Sequence, residues 1–155
     1  MKVAKLIVFF LLSLLATTVF GYSNHGYDYK VTSGCTTTIL KEDAYGFYQN
    51  NCTSYVAYML NTFGIKFMNG YLGAHWSHGK TWDDAAGNIS GENIPVDNHP
   101  LPGDVAYWNT GDYGHVAWVE KVNFDSSGNA ISVDITEYNI TPCVFSQRTA
   151  VPVNR

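Results

Sequence analysis

Charge is scarce in this 155-residue chain. Asp, Glu, Lys and Arg make up 14% of it, and nine basic residues face thirteen acidic ones. A net charge of −4 without a Lys/Arg cluster excludes the basic footprint that nucleic-acid binding needs. It also argues against docking on acidic lipid. Beyond residue 20 there is no apolar run of the ~20 residues that span a bilayer. There is no internal repeat, no low-complexity segment and no linker. No dense Asp-x-Asp-x-x-Gly cluster is present, so neither a metal nor a cofactor is expected. Cysteine is rare as well, with three in the whole chain.

The one long apolar run, LIVFFLLSLLATTVF at 6–20, follows Lys2 and Lys5 and ends at Gly21. A short basic start, a short apolar stretch and a small residue read as a secretory signal peptide over residues 1–21. The expected location is therefore secreted or periplasmic, with no membrane attachment after a cut before Tyr22. Residues 22–155 suffice for one domain with a real core, expected to be a monomer. Losing Lys2 and Lys5 makes that part more negative still. Aromatics at 15% and 14 glycines suggest a loop-rich, groove-bearing fold rather than a helical bundle.

Secretion gives the cysteine count a meaning, because oxidising compartments pair thiols. Three cysteines allow three pairings and always leave one over. Cys35 (TSGC) and Cys143 (TPC) lie beside turn-like residues near the two ends of the mature chain. They are the natural bridge partners, which leaves Cys52 free.

From Cys52 the apolar residues Val56, Met59, Leu60 and Phe63 recur at helical spacing, which predicts an amphipathic helix ended by Gly64. Asn50 or Asn51 can cap its start. KEDAYGFY at 41–48 predicts a short helix. Another is predicted at TWDDAAGNIS, where Thr81 and Asp84 form an acidic variant of the capping box. After Pro102 the pattern changes to β-rich runs: GDVAYW and GHVAWVEKVNF joined by the turn NTGDYG, then AISVDITEYNI after DSSGN. Helices followed by an antiparallel sheet make an α+β fold.

The chemistry-bearing residues fall on these elements. A cysteine at the first turn of a helix meets unpaired N–H groups and a positive dipole end, both of which favour the thiolate. A lone cysteine can equally be a small buried hydrophobe. Of five histidines, His115 alone lies in a strand pattern, after Gly114, where another chain or a substrate can approach closely. It reads as a base or as a core histidine satisfied by a carbonyl. Glu137 and Asn139, two apart on a predicted strand, face one side. They can orient an imidazole, or be polar residues of an exposed edge. Cysteine, histidine and acceptor together are the parts of a nucleophile, base and orienter.

These segments resemble the CHAP-domain amidases, a branch of the papain-like, NlpC-type cysteine peptidases. NNCTSYVAYML matches the family's cysteine segment, HPLPGDVAYW its P-x-x-GDVA-x-W, and GHVAWVEKV its GHVA-x-V. TWDDAA is similar to its Trp- and Ala-containing segment, and ITEYNI supplies the late acceptor. The likeness covers roughly Tyr45 to Asn139. It implies a papain-like fold with helices packed on a C-terminal antiparallel sheet, and a peptidoglycan hydrolase that cuts an amide bond. Cys52 would be the nucleophile, His115 the base, and Glu137 or Asn139 the orienter. The family usually has Gln before the cysteine; here Asn51 stands there, one methylene shorter. Asn51, with Asn50 or backbone N–H groups, is then the oxyanion candidate. Trp76, Trp108, Tyr113 and Trp118 line either the groove or the core. The expected partner is peptidoglycan, with an immunity or secretion partner conceivable. The rival expectation is a non-catalytic envelope-binding or structural protein that keeps the fold.

Overall fold

The computed structural model describes residues 2–4, 21–29, 41–89, 91 and 94–153. Its elements are β1 (Lys2–Ala4), α1 (Cys52–Thr62), α2 (Trp82–Gly87), β2 (Val96–Asp97), β3 (Val105–Trp108), β4 (His115–Phe124), β5 (Ala130–Tyr138) and β6 (Phe145–Pro152). The strands pair antiparallel in the order β2-β1-β3-β4-β5-β6. Helices precede the main strands and pack on the sheet, so the fold is α+β. Residues 2–4 of the expected leader sit between β2 and β3. Its apolar run, 6–20, and Cys35 lie outside the described residues.

α1 forms where the apolar spacing predicts it. Val56, Met59 and Leu60 are fully buried, and Phe63 stacks on Trp118 of β4 with ring centroids 5.2 Å apart. The Gly64 N–H bonds the Asn61 carbonyl, and its φ of +93° ends the helix. Burial of such side chains contributes about 1.5–3 kcal/mol each and seats the helix against the sheet. On this face Val116, Trp118 and Tyr138 join a core with Tyr27, Tyr55, Phe67, Trp76 and Trp82. The opposite face buries Ala106, Ala117, Val119, Val133 and Ile135. The central strands are thus apolar on both sides, which explains the unbroken apolar runs VAYW and VAWV within them.

Two local expectations change. Residues 41–48 are a tight loop closed by a bridge between Glu42 and Tyr48, with no helix. Asp43 Oδ1 accepts the N–H groups of Tyr45 and Phe47, a side-chain turn that competes with the helical ladder. α2 does form, but Thr81 makes no side-chain cap. Its hydroxyl bonds the carbonyls of Trp76 and His78 instead. β6 has no counterpart among the expected elements.

Candidate active site

Cys52 is the first residue of α1, a free thiol, half-buried. Asn51 is the N-cap residue, with extended φ/ψ of −95° and 162°, yet its side chain makes no cap. An N-cap asparagine ordinarily accepts an N–H of the first turn, worth about 1 kcal/mol. Here Asn51 Oδ1 accepts instead from Asn139 Nδ2. The first-turn N–H groups beside Cys52 are therefore left uncapped by Asn51.

His115 is the first residue of β4. Trp118 pairs with Thr136 and Val119 with Ile135; continuing that count places Glu137 beside Ala117, one diagonal from His115 on the same face. The geometry follows: His115 Nε2 lies 2.8 Å from Glu137 Oε2. Cys52 also neighbours the imidazole and favours its protonated form. With Nε2 engaged by Glu137, Nδ1 is the nitrogen left for the sulfur. The His115 side chain is 13% exposed and that of Glu137 is wholly buried.

Burial acts to lower the His115 pKa, but its interactions with Cys52 and Glu137 outweigh it and lift the value to about 9. Burial likewise pushes the Glu137 carboxyl up. The bonds from His115 and Arg148 outweigh it and hold the carboxyl below its usual range. Glu137 is therefore an ionised partner for an imidazolium.

Sequence reasoning missed Arg148, on β6. Its Nε donates to Glu137 Oε1 at 2.7 Å and its Nη2 to Oε2 at 2.8 Å. The guanidinium also lies 4.9 Å from the Trp108 ring centroid, and that ring is 5.6 Å from the His115 ring. Glu137 is thus clamped between two cations, and Trp108 braces both. The only sequence signal was an arginine in the β-compatible run FSQRTAV, one strand beyond Glu137.

Glycine explains how His115 is backed. A Cβ on Gly79 would lie 2.9–3.0 Å from the His115 backbone. One on Gly114, at φ +63°, would lie 2.4 Å from Lys80 N. The chain that approaches Gly114 closely is therefore the protein's own 79–81 turn, held by a bond from Lys80 N–H to the Tyr113 carbonyl.

The remaining candidates separate by position. Asn139 lies past the end of β5 with φ +72°, so it leaves the strand alternation that would align it with Glu137. Its carboxamide bonds Asn51 and the Cys143 N–H. Asn50 is buried, with φ +62°. Trp76 and Trp118 are core residues, 0% and 2% exposed. Trp76 packs on Phe67 and Trp82, because ring area is best removed from water there. Trp108 stays half-buried at the site, and Tyr113 is 66% exposed beside His78. In the GDVA segment Asp104 is structural: its Oδ2 accepts the Leu101 N–H at the entry to β3. Among the described residues no group of three or more His, Cys, Asp or Glu could hold a metal ion. Nor is any helix there long and apolar enough to cross a membrane.

The chain is similar to "N-acetylmuramoyl-L-alanine amidase sle1" of Staphylococcus aureus strains USA300, NCTC 8325 / PS 47 and COL. In each case 35% of 78 aligned residues are identical, covering 50% of this chain and 22% of the relative. The chain thus spans about a fifth of the length of these relatives. The family model for the CHAP domain matches residues 41–139, a stretch that contains Cys52, His115 and Glu137 and most of the sheet around them. The chain belongs to the CHAP domain family.

Proposed function

We propose that this protein hydrolyses an amide bond of peptidoglycan, with Cys52 as nucleophile, His115 as general base and acid, and Glu137 as orienter. The observation that carries the reading is the His115 imidazole, 2.8 Å from the buried Glu137 carboxylate, with Cys52 at the start of α1 close enough to favour its protonated form. The name of the amidases to which the chain is similar supports the choice of substrate. The Cys52 thiolate attacks the amide carbonyl. The oxyanion is met by N–H groups at the start of α1 and by the Asn51 carboxamide, whose oxygen is already committed to Asn139. The imidazolium, kept charged by a pKa of about 9, gives its proton to the leaving amine. Its neutral form then takes a proton from water, which cleaves the thioester and frees the acid product. Stem-peptide endopeptidase and N-acetylmuramoyl-L-alanine amidase activities both follow this chemistry.

Export by a leader over residues 1–21 fits such a substrate, and a Cys35–Cys143 bridge fits the free thiol at Cys52. N-terminal sequencing of exported protein should begin at Tyr22. Mass spectrometry of unreduced peptides should link 35 to 143.

The deciding experiment is a zymogram on purified cell walls, with wild type beside Cys52→Ala. Clearing by the wild type alone is expected. Wall binding without clearing by either protein would favour a non-catalytic envelope protein.

A further inference from the structure

The turn that delivers Cys52 is strained, and a residue outside the catalytic line holds it. Asn50 adopts the left-handed conformation at φ +62°, two residues before the nucleophile. A single left-handed residue is strained, less so for asparagine than for most, and persists when its surroundings over-determine it. Here those surroundings come from the segment 21–29. The Tyr27 hydroxyl oxygen accepts the Asn50 N–H at 2.8 Å and lies 2.6 Å from Ser54 Oγ. The Ser54 hydroxyl donates to Asp43 Oδ2 at 2.5 Å.

The direction of this chain is determined at both ends. A backbone N–H can only donate, and the Ser54 hydroxyl spends its single proton on Asp43 Oδ2. The polarity therefore runs from Asn50 N–H to the Tyr27 oxygen, from the Tyr27 hydroxyl to Ser54, and from Ser54 to Asp43. Each link polarises the next in an interior site. Tyr27 is 1% exposed, and burial, the largest influence, pushes its pKa up, so it stays a neutral phenol able to donate and accept. Its ring is wedged edge-on among Tyr29, Tyr55, Tyr58 and Tyr138. The segment is anchored further by Tyr58 OH on the His25 carbonyl at 2.8 Å and by His25 Nε2 against Glu120 at 2.7 Å. From the opposite side Asn139 holds the Asn51 carboxamide.

We infer that Tyr27 is a positioning residue for the nucleophile: its hydroxyl, relayed through Ser54 to Asp43, locks the Asn50–Asn51 turn and so sets where Cys52 and the oxyanion donors stand. The strap 21–29 is then part of the active-site machinery although it lies before the CHAP match at 41–139. The kinetic arm of the test rests on the hydrolase reading; the thiol-reactivity arm does not.

Tyr27→Phe keeps the ring and removes the link. The full mature protein should remain folded, with kcat on cell walls down about tenfold, equivalent to about 1.4 kcal/mol, and KM within twofold. Alkylation of Cys52 by iodoacetamide should slow by at least threefold. Ser54→Ala leaves Tyr27 its bond from Asn50 and should cause a smaller fall in both. A lowered melting temperature with alkylation and kcat both within twofold of wild type would overturn the proposal, because the hydroxyl would then be merely structural. Should Tyr27→Phe fail to fold, unchanged alkylation in Ser54→Ala overturns it equally. Should wild type clear no walls, the hydrolase reading fails, and the alkylation rates still decide the role of Tyr27.

Discussion

Replacing Glu137 by glutamine tests the catalytic line most sharply. The step of the His115 pKa from 6.5 to about 9 corresponds to about 3 kcal/mol in favour of imidazolium. Cys52 and Glu137 produce it together against burial. If Glu137 supplies about half, its charge is worth on the order of 1–2 kcal/mol, about tenfold in rate. Glutamine can still accept the ring N–H, but it leaves Arg148, now 2.7–2.8 Å from a neutral group, facing the imidazolium uncompensated. A wrong tautomer adds to the loss, with about 10⁴ as the upper bound for removing such a carboxylate. We expect kcat/KM on purified walls to fall about 10²–10³-fold. The alkaline limb of the pH profile, near 9 in wild type, should move to lower pH. Asn139→Ala touches the Asn51 side instead, so it should lower kcat about tenfold and leave that limb in place. Turbidity clearance between pH 5 and 10, with melting temperatures for both variants, reads all three. A Glu137→Gln enzyme within about threefold of wild type, or with an unmoved alkaline limb, would refute the assignment of Glu137 as charge partner.

Arg148→Met removes the cation that shares Glu137, so the carboxylate acts on His115 alone. The His115 pKa, followed by NMR, should rise above about 9, and stability should fall by about 1–3 kcal/mol, less than for a fully buried pair because Arg148 is 42% exposed. Stability should also depend on pH with a defined sign. The folded pKa of His115 is raised above 6.5, so its contribution is complete below 6.5 and disappears as pH climbs through about 9. Glu137 is depressed, so its contribution holds above the ordinary carboxylate range and is lost as pH falls through the folded value. Thermal melts across this range check both. Gly114→Ala combines left-handed strain with a Cβ 2.4 Å from Lys80 N. It should cost about 2–5 kcal/mol, read as a lowered denaturant midpoint, with wall clearance reduced through displacement of His115.

The local signals sufficed for α1, because the apolar residues at helical spacing and Gly64 are read within one segment. They sufficed also for the strands that carry His115 and Glu137, and for the choice of Cys52, His115 and Glu137 as candidates, since each residue type sits at a telling place on its own element. What lies between elements was not legible. The role of Arg148 depends on β6 pairing with β5, a register that no local pattern specifies. Asp43 turns 41–48 away from a helix through side-chain bonds that compete with local propensity. Asn139 keeps the spacing of an inward-facing strand residue, yet its left-handed backbone sends its amide to Asn51. Tyr27 reaches Asn50 across 23 residues of chain, and Trp76 is core because other rings close over it. Except at Asp43, whose partners lie two and four residues away, long-range packing, which a periodicity does not encode, decides the partner of a side chain whose type the sequence already declares.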